Sequence, residues 1–296
     1  MIASMPPRKV PAPTLRLRRL ASELRRLRGD AGLTRDEVSE RTGIDPATLY
    51  RIETARAKPQ LRTLRTLAEL YGVPESERGE LLALSRQSAD QTWLQQFADL
   101  PQPYAAYIAF ESEAKTLINY EGLLVPGLLQ TEAYARAALQ RGQSTASREE
   151  IQRLVDARMS RQSVLDREPP LRLWTIVDEA VLHRPVGGHD VMAAQLDHIA
   201  EIAGNIPTVT VQVIPYDVGG HPGMSGSFAV LGFDDPAASD LVYMESRAGG
   251  LVLESEKDLT RFKVIFEDLR ALALPPEGSI SFVRQRAGDM KIGDKE

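Results

Sequence analysis

Apolar side chains in the first third of the chain recur at steps of three and four residues, which is the spacing of one face of an α-helix. The first stripe consists of Leu17, Leu20, Leu24 and Leu27. A later stripe consists of Leu61, Leu64, Leu67 and Leu70. Between the two, Thr34 with Glu37 has the pattern of a capping box, and Asp45 with Pro46 has that of a second helix start. With a short helix near residues 76–86, the pattern predicts a five-helix domain.

The pattern changes at about residue 104. Residues 104–165 have mainly helical spacing, with a break at the Pro-Gly pair of VPGLL. Later segments rich in branched and aromatic residues predict β-strands over 171–177, 208–215, 227–233, 241–246 and 251–255. Helices are predicted over 189–203 and 258–274, the latter with a buried stripe of Leu259, Phe262, Phe266, Leu269 and Ala273. The expected fold class is α+β: an all-α five-helix N-terminal domain followed by a larger α+β domain with a mostly antiparallel sheet.

These elements divide the chain into five segments. A flexible basic arm with four prolines occupies residues 1–13, and the helical domain occupies 14–88. A connector over 89–103 leads to the α+β domain at 104–286. Residues 287–296 are expected to form a frayed tail.

Charge is unevenly distributed between the two halves. Residues 1–72 carry 15 Lys and Arg against 8 Asp and Glu, a net charge of +7. Residues 73–296 carry 21 against 33, a net charge of −12. This split indicates either a basic module for a polyanion joined to an acidic body, or Arg-rich helices that are merely solvated.

Composition excludes several classes of protein. The chain has no cysteine, so disulfides, thiolate metal sites and cysteine nucleophiles are excluded. It has no run of 18 apolar residues, and its first residues lack the apolar core of a signal peptide. We therefore expect a cytoplasmic protein without a membrane partner.

The segment LTRDEVSERTGIDPATLYRIETARAKP (33–59) places two short helices on either side of Gly43. Apolar residues fall where two crossing helices must share a small core, namely at Val38, Ile44, Leu49 and Ile52. Gly43 can adopt the left-handed conformation that redirects the chain between them. This is the helix-turn-helix arrangement, in which the second helix enters the DNA major groove. A small helical protein-interaction domain is the alternative.

Three motifs in order, LRRLRGDAGLT, DEVSERTGIDPATLYRIE and KPQLRTLRTLAELYGV, resemble the Cro/repressor-type helix-turn-helix domain, also called the xenobiotic-response-element family. The resemblance covers residues 17–85. Arg35 stands where that family often has Gln, and Ser39 where it usually has Ala. We expect these departures to alter the DNA contacts more than the fold.

The resemblance implies a set of DNA-binding residues: Thr34, Arg35, Asp45, Pro46, Ala47, Thr48, Tyr50, Arg51, Arg56 and Lys58. Arg51 could bind guanine O6 and N7 or grip a phosphate. Tyr50 could pack against the first helix or reach the DNA backbone. The resemblance also implies that Glu53 pairs with an arginine of the first helix, and the spacing nominates Arg28. This pair would be structural.

The second domain lacks the common catalytic motifs. Its histidines, His183, His189, His198 and His221, form no HExxH pattern, so we expect no metal and no cofactor. The Gly-rich loop VGGHPGMSGSF is neither a GxSxG elbow nor a phosphate loop. The adjacent Asp178 and Glu179 are interpreted as helix-start residues. We therefore expect a protein that is not an enzyme.

The same domain resembles the domain of unknown function that follows a helix-turn-helix in many actinobacterial regulators described as antitoxin-like or WhiJ-like. Its motifs are YIAFESEAKTLINYEGLLVPGLLQTEAYARAAL, RMSRQSVL, IVDEAVLHRPVG, QVIPYDVGGHPGMSGSFAVLGF and VYMES. The resemblance implies a nucleoid-associated transcriptional regulator with a double-stranded DNA operator. It also implies a possible partner, a small acidic protein encoded by a neighbouring gene.

One apolar segment has more leucines than a single helix face can bury, and it is the candidate partner or dimer surface. Its residues are Leu123, Leu124, Val125, Leu128 and Leu129. The alternative is that they fill the core of their own domain. A homodimer is expected, because one recognition helix buries little surface on DNA. The alternative function is a helical protein-interaction adaptor fused to an enzyme-like or ligand-binding α+β domain.

Overall fold

The computed structural model describes residues 15–87, 102–143, 145–234, 240–246 and 249–292. The chain divides into two compact units, Met1–Phe110 and Glu111–Glu296. The predicted basic arm and nearly all of the predicted connector lie outside the described residues. Within the described ranges, no helix is both long and apolar enough to cross a membrane.

The first unit contains the five predicted helices, which are α1 (Leu15–Asp30), α2 (Arg35–Thr42), α3 (Pro46–Glu53), α4 (Leu61–Leu70) and α5 (Glu75–Gln87). A further helix, α6 (Gln102–Glu113), crosses the boundary between the units. The core of the bundle is built from the predicted leucine stripes and the apolar residues of α2 and α3. Its most deeply buried members are Leu20, Leu24, Val38, Leu49, Leu64 and Leu67.

Local side-chain bonds fix where α2 and α3 begin. The Thr34 hydroxyl accepts a hydrogen bond from the Glu37 N–H, and the Glu37 carboxylate accepts one from the Thr34 N–H at 2.7 Å. The Asp45 carboxylate accepts a bond from the Thr48 N–H at 3.0 Å, and Pro46 occupies the first turn of α3. Gly43 ends α2 with a φ of +72°, a left-handed conformation that favours glycine. The predicted helix starts are confirmed.

The second unit is built on a six-stranded mixed sheet. Its strands are β1 (Thr116–Glu121), β2 (Arg172–Asp178), β3 (Val209–Ile214), β4 (Phe228–Gly232), β5 (Leu241–Ser246) and β6 (Gly249–Leu253). They lie in the order β3-β2-β1-β4-β5-β6. The pairings of β1 with β2 and of β2 with β3 are parallel, and the other three are antiparallel. The expected α+β fold with a mostly antiparallel sheet is confirmed.

The remaining helices are α7 (Glu132–Gly142), α8 (Arg148–Arg161), α9 (Glu179–His183), α10 (His189–Asn205), α11 (Glu256–Leu272) and α12 (Pro276–Ile292). Short 3₁₀ turns occur at Gly127–Leu129, Gln162–Leu165, Tyr216–Val218 and Pro222–Ser225. Helix α11 covers one face of the sheet with its predicted stripe. Phe266 and Leu269 are buried there among Tyr120, Ile176 and Phe228, while the other three residues of the stripe are half-buried.

The strand β1 was not predicted, because residues 104–165 were expected to be mainly helical. Its sequence TLINYE is short and alternates only in part, because Leu117 and Ile118 are adjacent. Its polar residues are themselves half-buried or buried. Asn119, for example, is only 5% exposed. A central strand covered on both faces loses the simple alternation that marks a surface strand, so the local pattern did not separate it from its helical neighbours.

The predicted frayed tail is also wrong for residues 287–292. Helix α12 continues through Ile292 and packs along α10. Val283, Ala287 and Met290 recur at steps of four and three residues and are almost fully buried. This narrow stripe lies among polar residues, so its weak amphipathic signal was missed.

Met290→Ala should lower the free energy of unfolding by about 2–5 kcal/mol, because it removes a side chain that is 4% exposed. The matched control is Ile292→Ala on the same helix, since Ile292 is 68% exposed. Urea unfolding of the two variants measures the difference. Equal midpoints for both would mean that the end of α12 does not contribute to the core.

Candidate nucleic-acid interface

Helices α2 and α3 form a two-helix unit with one face in the core and one face on the surface. Val38 of α2 and Leu49 and Ile52 of α3 are 0–2% exposed. On the opposite side of α3, Ala47, Tyr50 and Arg51 are exposed. A short helix held by its apolar side in this way presents the other side as a rigid surface.

Arg51 lies along the surface of α3 in bonds with its own helix. Its Nη2 donates to Thr48 Oγ1 at 3.0 Å, and its Nε donates to the Ala47 carbonyl at 3.3 Å. Thr48 Oγ1 in turn lies 3.4 Å from Asp45 Oδ2. Asp45, Thr48 and Arg51 therefore form a row at three-residue steps, which is one face of the helix.

Glu53 is the buried acid at the end of α3, and it binds two arginines. Arg28 Nε donates to Oε1 at 2.6 Å and Arg28 Nη2 to Oε2 at 3.2 Å. Arg35 Nε donates to Oε2 at 2.8 Å. The hydrogen bond that Arg28 donates to Glu53 raises the pKa of Arg28, whose Nη1 also donates to the Leu33 carbonyl at 2.7 Å. The predicted Arg28–Glu53 pair is present and links α1 to α3, and the bond from Arg35 adds α2.

The bond from Arg35 to Glu53 was not expected, because Arg35 is predicted only as a DNA-binding residue. Arg35 also lies over the Tyr50 ring, with its guanidinium carbon 5.3 Å from the ring centroid, and Arg56 lies 5.8 Å from the same centroid. Tyr50 is 43% exposed. Its ring lies beside two cations at distances typical of cation–π contacts.

An open groove of about 620 Å³ runs between the starts of α2 and α3. It is lined by Arg28, Thr34, Arg35, Asp36, Pro46, Ala47 and Tyr50. Helix N-termini attract phosphate. At Thr34, however, the Glu37 carboxylate already accepts from both the N–H (2.7 Å) and the hydroxyl (2.9 Å). A phosphate at Thr34 would therefore meet a carboxylate, whereas one nearer Arg35 would meet a guanidinium. Lys58 is exposed beyond the end of α3, outside the groove lining.

Comparison with known families agrees with this two-part organisation. Residues 19–81 match the model of a helix-turn-helix domain. Residues 104–285, more than half of the chain, match the model of a family described as a domain of unknown function, DUF5753. The chain belongs to the DUF5753 family. No curated protein and no solved structure matches it. The predicted order, a helix-turn-helix followed by this domain, is confirmed, and the helix-turn-helix supports a DNA-binding regulator.

The DUF5753 domain buries most of the apolar segment that was predicted as a partner surface. Val125, Leu128 and Leu129 are 0–2% exposed, so for these three residues the alternative, a place in the domain's own core, is correct. The Val125 N–H donates to the Tyr134 hydroxyl at 3.1 Å, which fixes the segment locally. Leu123 and Leu124 remain on the surface, at 68% and 39% exposure.

The DUF5753 domain also contains a polar cluster that no motif marked. Asp178 begins α9 as predicted and accepts from the Ala180 N–H at 2.8 Å. The same carboxylate accepts from the Tyr120 hydroxyl at 3.4 Å and lies 3.1 Å from His221 Nε2. Burial raises the pKa of Tyr120. These residues lie far apart in sequence, so only the fold brings them together. Among the described residues, no group of three His, Asp or Glu side chains could hold a metal ion.

Replacing Glu53 with Gln should destabilise the first unit by roughly 2–3 kcal/mol. A fully buried pair broken on one side typically costs about 3–5 kcal/mol, but Arg28 and Arg35 are partly exposed here. Glu69→Gln is the control, because Glu69 is largely exposed. Thermal unfolding measures the loss. If Glu53→Gln unfolds like the wild type yet fails to bind DNA, Glu53 acts in recognition and not in folding.

Proposed function

We propose that the protein is a sequence-specific transcriptional regulator, not an enzyme, that binds a double-stranded DNA operator through α3. The observation that carries this proposal is the exposed face of α3, with Thr48, Tyr50 and Arg51, on a segment of net charge +7. The rest of the chain has a net charge of −12 and would be repelled by DNA. We therefore expect the operator to bind the first unit.

Arg51 is the proposed base reader. A guanidinium can donate two bonds to guanine O6 and N7, and Thr48 can contact a thymine methyl group. In the free protein, Arg51 donates to Thr48 and Ala47 instead. These bonds are to neutral, exposed groups and are weak enough to be exchanged for bonds to a base. The row from Asp45 to Arg51 would then face the major groove.

The remaining basic residues are proposed to bind phosphates. Arg35 is held by Glu53 and stacked on Tyr50, so its guanidinium is already oriented at the groove between α2 and α3. Arg56 lies on the same ring, and Lys58 is exposed beyond the end of α3. Contacts of this kind set affinity and its salt dependence without reading sequence.

A homodimer is part of the proposal, because two half-sites about 34 Å apart would double the contact with one face of the DNA. The dimer contact is assigned to the DUF5753 domain, because that domain leaves apolar side chains on its surface. The exposed pair Leu123 and Leu124 is the apolar surface proposed for it. The family resemblance supports a second use of this surface, namely binding of a small acidic protein from a neighbouring gene in an antitoxin-like pair.

Arg51→Ala should weaken operator binding by about 1–3 kcal/mol and relax base preference at one position, if Arg51 reads a base. The operator would first be selected from random duplexes, and affinity then measured by fluorescence anisotropy over a salt series. Arg26→Ala is the control, since Arg26 on α1 pairs with Glu23 and Asp30. A uniform loss over all sequences with a smaller salt slope would instead assign Arg51 to a phosphate. Affinity that does not change with salt would overturn the DNA-binding proposal.

Leu123→Ser combined with Leu124→Ser should convert the dimer to a monomer at micromolar concentration. The matched control is Val264→Ser, an exposed apolar residue on α11. Sedimentation velocity, with and without the product of the neighbouring gene, measures both assemblies. A variant that stays dimeric but no longer binds that product would assign the surface to the partner. Wild-type behaviour in both assays would remove these leucines from either interface.

A further inference from the structure

On one face of the DUF5753 sheet, one row across the strands carries two polar residues where an apolar core would be expected. Asn119 of β1 pairs in register with Thr175 of β2 and with Ala229 of β4. Register partners project from the same face of a sheet. On the opposite face, Tyr120, Ile176 and Phe228 pack against α11. The polar row therefore lies on the face turned away from α11.

The two central side chains of this row are buried with unsatisfied atoms. Asn119 is 5% exposed and Thr175 is 0% exposed. Within the described part of the chain, neither Asn119 Oδ1 nor Thr175 Oγ1 has a hydrogen-bond partner. Buried polar groups are nearly always paired, because an unpaired one loses its bonds to water without replacement. Two adjacent unpaired atoms on neighbouring strands indicate a place for a polar molecule.

The next row, at the end of β1, carries carboxylates. Glu121 lies two residues beyond Asn119 on the same face, and Asn119 Nδ2 approaches its Oε1 at 3.5 Å. Ser227, which directly precedes β4, forms a side-chain hydrogen bond with the Glu121 carboxylate. Glu245 of β5 also acts on Glu121 electrostatically. Removal from water raises the pKa of Glu121 to about 7.

The carboxyl ends of β1 and β2, where Glu121 lies, are also a common place for ligands to bind to a sheet with parallel strands. The parallel strands β1 and β2 both end here, beside the change from parallel to antiparallel pairing between β1 and β4. Ligands of open sheets with parallel strands typically bind outside the carboxyl ends of those strands, at a point where the strand order or direction changes.

We propose that Asn119, Glu121 and Thr175, with Ser227 and Glu245 at the rim, form a binding site for a small organic cation with N–H donors, such as an amine or a guanidine. Asn119 Oδ1 and the two carboxylates can only accept hydrogen bonds, which selects a donor. The negative charge of Glu121 and Glu245 favours a ligand that is a cation. Glu121 and Glu245 lie two strands apart, about 10 Å across the sheet, so a ligand with a cation at each end could reach both.

Among the described residues, one cation acts on Glu121. Arg158 is near enough to lower the pKa of Glu121, but its Nη1 donates to Gln130 Oε1 at 3.0 Å. Burial raises the pKa of Tyr120 and of Tyr134, and the charge of Glu121 raises both further. Both hydroxyls therefore stay neutral near pH 7. Glu121 is therefore the group near this site that titrates around neutral pH.

Calorimetric titration of the full-length protein with agmatine, which has a guanidinium at one end and an ammonium at the other, tests the proposal. A bound cation favours the Glu121 carboxylate, so at pH 7, where about half of the groups are protonated, binding should release protons. Titrations in phosphate and in HEPES, which differ in ionisation heat and are not simple amine cations, measure that release. Affinity should rise by about tenfold from pH 6 to pH 8 as Glu121 ionises.

Three variants separate the site from a general effect of charge. Glu121→Gln should weaken agmatine binding at least about tenfold and abolish both the proton release and the pH dependence. Thr175→Val, which conserves volume, should weaken binding about three- to tenfold. Glu277→Gln, at an exposed acid in the first turn of α12, should change nothing. Absence of agmatine binding to the wild type, or equal binding by wild type and Glu121→Gln, would overturn the proposal. Neither result bears on operator binding by the first unit.

Discussion

The first unit depends on one buried carboxylate. Glu53, at the end of α3, accepts hydrogen bonds from Arg28 of α1 and from Arg35 of α2. A charge that is 4% exposed is tolerated only when its oxygens are fully bonded, so the three helices must keep one mutual arrangement. The apolar core alone would allow small rotations of α3. The two bonds from the Arg28 fork and the one from Arg35 restrict these rotations, and they hold the exposed row of α3 in a defined direction.

The same carboxylate organises the charged surface. Because Arg35 is bonded to Glu53, its guanidinium lies over Tyr50, and the Tyr50 ring in turn lies beside Arg56. A structural ion pair thereby places two cations beside the face that would meet DNA.

In the DUF5753 domain, burial of polar groups has a different result. Glu111 and Arg161 satisfy each other in a bidentate pair at 2.7 Å, whereas Asn119 and Thr175 keep unsatisfied atoms. The first arrangement stabilises the fold, and the second is the basis of the proposed ligand site.

Local patterns were sufficient wherever a helix has one apolar face and a defined start. The leucine stripe of α1, the capping box at Thr34 and the Asp45-Pro46 start of α3 all occur as predicted. Patterns were insufficient where tertiary contacts decide burial. Strand β1 is covered on both faces and lacks clean alternation, and α12 buries only a narrow stripe that ends at Met290. In the apolar segment after β1, the spacing of the leucines did not distinguish Leu128, which is buried, from Leu123, which is exposed.

The sequence by itself determined the two-part organisation and the positions of the helices in the first unit, whereas the family resemblance implied the pairing of Glu53 with Arg28. Each of these follows from spacing within a short window, or from a motif whose order is specific. Only the tertiary structure decided that Arg35 shares Glu53 with Arg28, that His221 and Tyr120 meet at Asp178, and that Asn119 lies beside Thr175. These contacts join residues 18 to 58 positions apart. Strand register and helix packing set such distances, and no local pattern of hydrophobic and polar positions encodes them.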